Sequence, residues 1–219
     1  MIPTEIKHHL KVRRLTTPRA ASLAGILFAV LFTTSLTLLR VSLPTDLNIN
    51  PGWPERDQRL LEIALTLIPF AGIAFLWFIG VVRDRLGDFE DQFFSTVFYG
   101  SSLLFLGMVF VSMAIAGGIL AATRKALEND VIIFGREVML QINNIYALRM
   151  AGVFMISLGT IWWRTGLMPR WLAILTLVFA LTLLLVVNLS VWVTLIFPGW
   201  VFLISLLILV WQYRTSENR

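Results

Sequence analysis

The chain alternates long uncharged apolar runs with short clusters of charge. Ala20 to Leu39 holds no charged residue, Leu60 to Val82 holds only Glu62 near its start, and Phe98 to Ala122 holds none. Ile142 to Trp163 contains one charge, Arg149, and Trp171 to Tyr213 runs 43 residues without any. At about 20 residues per helical span, the first four runs each predict one transmembrane helix. The fifth is too long for a single helix rising about 1.5 Å per residue through a core about 30 Å thick, so it predicts a pair. A turn near Asn188 to Val191 divides it, with Pro198-Gly199 kinking the start of the last span. A break at Pro198 itself would leave about 14 residues, fewer than the roughly 17 a span needs.

The expected fold is therefore all-α, a polytopic six-helix transmembrane bundle. It comprises a basic tail over 1–19, one transmembrane domain over 20–213 and a short tail over 214–219. The spans are expected near 20–39, 60–82, 98–122, 142–163, 171–189 and 192–212. The first run exceeds the roughly 7–15 residues of a signal-peptide core and no small-x-small cleavage site follows it, so it reads as a retained span. Between the third and fourth spans, Leu127, Val131, Phe134 and Val138 recur at helical spacing. That pattern predicts a short amphipathic helix lying on the bilayer surface near 125–140.

Composition agrees. Of 219 residues 58% are apolar and 14% charged, and the mean hydropathy is +0.81, whereas soluble domains carry about 25% charged residues. Six spans leave about 100 residues for tails and loops, too few for a separate soluble domain of ordinary size. The net charge of +5 fits membrane orientation better than nucleic-acid binding. Eleven Lys and Arg fall on the side of the two termini and six on the other, which places both termini in the cytoplasm. Trp77, Trp162, Trp163, Trp171 and Trp211 all lie near the expected cytoplasmic helix ends, as an interfacial belt would. Close helix packing in lipid needs small residues on one face. Ala21, Gly25 and Ala29, and again Ala114, Gly118 and Ala122, recur at four-residue spacing.

The same counts remove much chemistry. With no cysteine there is no disulfide, thiolate nucleophile or Cys-ligated metal site. His8 and His9 sit together in the first tail and no expected span contains a histidine. Axial haem ligation and an H-E-x-x-H zinc site in the membrane are thereby excluded. No span interior contains Asp or Lys, so an intramembrane aspartyl dyad, a Schiff-base lysine and a proton-carrying carboxylate chain are excluded too. No catalytic residue, metal ligand set or cofactor site is assigned.

Two candidate sites remain. Arg149 follows Asn144 and Tyr146 in the fourth span, and an intramembrane charge is a functional hypothesis by default. With Asn144, Tyr146 and Glu62 it would form an outer-facing pocket for an anion or headgroup. The plainer account has Arg149 snorkelling outward to pair with Glu62 or Glu137. The second candidate is the cytoplasmic loop cluster Arg83, Asp84, Arg85, Asp88, Glu90 and Asp91. Gly80, Asp84 and Asp88 resemble the closing half of the CDP-alcohol phosphotransferase signature, whose opening aspartates are absent from 58–79. Gly80, Asp84, Arg85 and Gly87 resemble a loop motif of major-facilitator transporters, which continues with basic residues where Asp88 stands. The plainer account is a solvated, salt-bridged turn joining two helices.

Three stretches together carry a broader resemblance. Arg83-Asp84-Arg85-Leu86-Gly87-Asp88 with Phe93-Phe94, Tyr146-Ala147-Leu148-Arg149-Met150, and Arg164-Thr165-Gly166-Leu167-Met168-Pro169-Arg170-Trp171-Leu172 resemble a family of uncharacterised six-span bacterial membrane proteins. The resemblance implies a bacterial cytoplasmic membrane and no particular activity. The expected function is that of a non-enzymatic membrane protein binding lipids or membrane subunits, including copies of itself, through its helix faces. The alternatives are a small-solute or anion transporter using Arg149 and a metal-dependent lipid-headgroup enzyme using Asp84, Asp88 and Asp91.

Overall fold

The computed structural model describes residues 18–43, 54–86, 92–124, 129–185 and 191–217, and every element among them is helical. In chain order these are α1 (Pro18–Ser42), α2 (Glu55–Leu86), α3 (Gln92–Arg124), α4 (Asn129–Gln141), α5 (Leu148–Thr165), α6 (Arg170–Leu185) and α7 (Ile196–Glu217). A π-helical turn, Ile142–Ala147, joins α4 to α5 without a break, and a 3-10 turn, Val191–Leu195, leads into α7. Among the described residues, five helical stretches are long and apolar enough to cross a membrane: Ser22–Ser42, Glu55–Arg83, Phe93–Arg124, Asp130–Thr165 and Val193–Val210. α6 is apolar but shorter, at 16 residues.

Local sequence explains the boundaries. α5 stops at Gly166, whose φ of 66° only glycine adopts freely and whose N–H closes on the Trp162 carbonyl at 3.0 Å. Pro169 then opens α6, its carbonyl accepting from the N–H groups of Leu172 and Ala173. Pro198 is the third residue of α7, directly after the 3-10 turn Val191–Leu195, so the winding changes beside the proline expected to kink the start of this span. α6 is described to Leu185, and 186–190, where the expected end of the fifth span and most of the expected turn fall, lie outside the described residues.

The helix expected on the bilayer surface near 125–140 is instead the first part of a rod that runs through the π turn to Thr165. Its expected apolar face is turned outward, with Val131 54% and Phe134 71% exposed. The face that packs is narrower. A Cβ at Gly135 would stand 3.1 Å from Ile119, and Ser112 of α3 donates to the Met139 carbonyl at 3.0 Å. α3, at 33 residues, is long enough to give α4 a wall along its length. A glycine facing that wall permits closer approach than the apolar stripe would.

α1 lies against α2 and α7, α3 against α2, α4 and α5, and α6 mainly against α5. Among the described residues, only the first of the two small-residue motifs packs inside the chain. Gly25 is buried where any Cβ would collide with Ser205 of α7 and crowd Phe78 of α2, and Ala29 is buried beside it. Gly118 in the second motif has no atom within 4 Å of a built Cβ, and Ala114 is exposed. Buried hydroxyls link neighbouring helices: Ser35 donates to the Ala64 carbonyl at 2.9 Å, and Trp200 Nε1 donates to Thr176 Oγ1 at 2.9 Å. In a membrane interior such bonds each contribute about 1 kcal/mol.

Candidate functional site

The centre of the bundle is aromatic. Phe28 of α1, Phe75 of α2, Phe105 of α3, Phe154 of α5 and Phe197 of α7 are all essentially inaccessible. Phe75 meets Phe28, Phe105, Phe154 and Phe197 at centroid distances of 4.6, 5.4, 5.8 and 5.7 Å. Phe197 meets Phe28, Phe105 and Phe154 at 6.0, 4.7 and 5.9 Å. Most of these pairs are tilted or edge-to-face, the arrangement favoured by the ring quadrupole, and each such pair adds about 1 kcal/mol beyond its buried area. Phe28, Phe75 and Phe154 lie eight to ten positions from Arg19, Arg83 and Arg164, or about 12–15 Å along a helix. That is half the thickness of a hydrocarbon core of about 30 Å. Sequence reading missed this cluster, because with 16 phenylalanines in the chain spacing alone does not say which of them converge.

Among the described residues, none of those expected around Arg149 makes a hydrogen bond or ion pair with it. Glu62 is ion-paired with Arg124, and Glu137 is bonded to Arg136 at 3.3 Å, so both acids expected to take Arg149 are engaged elsewhere. The reason is helix length: α2 and α3 run antiparallel far enough to bring Glu62 and Arg124 together at the end away from Arg83. Arg149 itself is half-buried, and among the described residues it makes no hydrogen bond or ion pair. Tyr146 points outward, 54% exposed. Asn144 accepts at 3.3 Å from Nδ2 of its neighbour Asn143, which is buried. Both amides lie within the π turn, a helical irregularity that often marks functional positions.

At the opposite end, the Arg83 guanidinium lies 5.2 Å from the Tyr99 ring centroid and that of Arg164 lies 4.9 Å from Phe94. These cation–π contacts tie α2 and α5 to α3. Asp84 and Arg85 belong to the helical backbone of α2, but their side chains, and Asp88 and Asp91 entirely, lie outside the described residues. Among the described residues no three of His, Asp or Glu converge as a metal site. The tryptophans divide: Trp77, Trp163 and Trp171 are exposed, whereas Trp162 is buried against Trp200 at 6.2 Å. Trp162 is thus a core residue rather than part of a belt.

An all-helical chain whose helices are long and apolar enough to cross a membrane, closed on an aromatic centre, has the build of a multi-pass membrane protein. Comparison with protein-family models, curated proteins and solved structures found no match.

Proposed function

We propose that the chain is a non-enzymatic integral membrane protein that works through its outward helix faces, chiefly by binding other membrane helices along α3. The observation that carries this reading is the composition of that face. Gly100, Gly107 and Gly118 have no atom within 4 Å of a built Cβ, and Ala114 and Ala121 are exposed. With Leu104 and Val111 they follow alternating spacings of four and three, the seam of a left-handed helix pair. Small residues at such a seam let two backbones approach in lipid. The outward face of α6, by contrast, carries Ile174, Val178, Leu181 and Leu185, side chains suited to lipid tails.

The working topology is six spans with both termini on the cytoplasmic side of a bacterial inner membrane. The Lys and Arg bias supports it, as do the cation–π contacts of Arg83 and Arg164 at one end of the bundle.

The test is photo-crosslinking in native membranes from single positions. Reactive residues at 107, 114 and 118 are expected to capture protein, and residues at 178 and 181 only lipid. Lipid adducts alone at all five positions would overturn the reading. A second reading, an anion pocket at Arg149, is favoured by one observation: a half-buried guanidinium beside a π turn with both expected carboxylates engaged elsewhere.

A further inference from the structure

The groove between α1 and α7 has apolar walls but carries two hydroxyls that bond to nothing. It is open, holds about 340 Å³, and is lined by Ala29, Thr33 and Thr34 of α1 and by Pro198, Gly199 and Phe202 of α7. A threonine in a helix ordinarily returns its hydroxyl to the carbonyl one turn back. Seven threonines of the described helices do so, Thr37, Thr66 and Thr182 among them, at 2.8 to 3.0 Å. Thr96 and Thr194 are also engaged. Among the described threonines only Thr33 and Thr34 make no side-chain hydrogen bond, and both line the groove.

The groove exists because Ala29 and Gly199 lack bulk; a Cβ at Gly199 would meet nothing within 4 Å. Its depth follows from its neighbours. Ala29 and Pro198 directly follow Phe28 and Phe197 of the aromatic centre. Thr33 stands five positions beyond Phe28, about 7.5 Å along the helix and half-way from the centre to the edge of a core about 30 Å thick. A bilayer supplies no water to a hydroxyl there, and one left without a partner costs stability. Phospholipid chains offer only methylene groups at this depth, because their ester carbonyls and phosphates stand with the headgroups at the core's edge. A charged head holds any amphiphile at that edge for the same reason. The occupant that satisfies both hydroxyls is therefore an uncharged lipophile able to lie within the core, with carbonyl oxygens to accept from them. The volume is that of a small-molecule site, and the Phe202 ring, 40% exposed, gives a flat ring a surface to stack on.

We propose that this groove binds a quinone-type lipid, a ring bearing two carbonyls on a hydrocarbon tail, with the hydroxyls of Thr33 and Thr34 donating to the carbonyls and the ring against Phe202. The proposal goes beyond the partner-helix reading: it needs only that the chain crosses a membrane, and it is tested without reference to α3. The experiment is native mass spectrometry of the full chain in detergent, titrated with a long-alkyl benzoquinone or with the alkylbenzene of the same tail, which lacks the carbonyls. The expected result is one quinone held per chain, about tenfold more tightly than the alkylbenzene, as the gain of two neutral hydrogen bonds allows. The double variant Thr33→Val with Thr34→Val keeps the shape and removes both donors; it should hold the quinone no better than the alkylbenzene. Gly199→Leu, which fills the groove from an open position, should release both. Thr37→Val removes a hydroxyl of the same helix that is already bonded to the Thr33 carbonyl, and should leave the preference for the quinone intact. Equal retention of the two compounds by the unaltered chain would overturn the proposal. So would an unchanged preference in the double valine variant, or undiminished binding by Gly199→Leu, each variant being verified as folded by its thermal unfolding. Loss of the preference in Thr37→Val to the same extent as in the double variant would also overturn it, as would a second copy of the chain held in the groove and displacing the quinone. Absence of protein adducts on α3 would overturn the partner-helix reading and leave the quinone result standing.

Discussion

The guanidinium of Arg149 stands five positions from Phe154, about 7.5 Å along the helix from the aromatic centre, and its long stem lets the charge reach toward the end holding Glu62. Had Glu62 or Glu137 taken it, removing the charge would leave a carboxylate unpaired and cost stability. Those acids are paired with Arg124 and Arg136 instead. Arg149→Gln is therefore expected to fold and insert with a thermal midpoint close to that of the unaltered chain. Glu62→Gln should cost less than about 1 kcal/mol, because its ion pair is exposed. Thermal unfolding of both variants in detergent checks this, and a large destabilisation by Arg149→Gln would return that residue to a structural role. The singular placing of Arg149 was legible from the sequence, since it is the one charge inside the apolar run Ile142 to Trp163. Its partners were not, because they depend on how far neighbouring helices extend past one another.

At the scale of elements the small-residue motifs give the clearest contrast. Ala21-Gly25-Ala29 and Ala114-Gly118-Ala122 have the same spacing, yet Gly25 is wedged between α2 and α7 and Gly118 faces open space. Gly25→Val should destabilise the chain by about 1–3 kcal/mol, the usual cost of overpacking a filled site. Gly118→Val should leave the monomer's stability nearly unchanged while lowering protein capture from positions 107 and 114. Thermal unfolding of the two variants, with crosslinking yield for the second, separates the roles. The apolar runs themselves were readable as helices, because a segment that must satisfy its own backbone in lipid has no other choice of this length. The segment near 125–140 was readable as a helix, but not as one continuous with α5. An apolar stripe at helical spacing is equally compatible with resting on a bilayer and with facing lipid from the side of a bundle.

For the whole molecule the open quantity is the number of crossings. The described part of α6 has 16 residues, beside the roughly 17 a span requires, and whether this helix crosses decides whether the termini share a side. A reporter active only in the cytoplasm, fused after Arg219, is expected to be active. One active only outside, inserted between 125 and 128, is expected to be active as well. Activity of the outside reporter at Arg219 would mean an odd number of crossings. Apolar run length, basic-residue bias and the scarcity of catalytic side chains are one-dimensional properties, so the sequence by itself determined a helical chain built for a membrane and the chemistry it lacks. Convergence is three-dimensional. Five phenylalanines drawn from five helices meet at one depth only because of how those helices are placed around one another. Tertiary structure alone therefore decided which rings form the centre and that Arg124 meets Glu62. Each depends on the relative rotation and offset of helices far apart in the chain, which packing fixes and periodicity along a single helix does not encode.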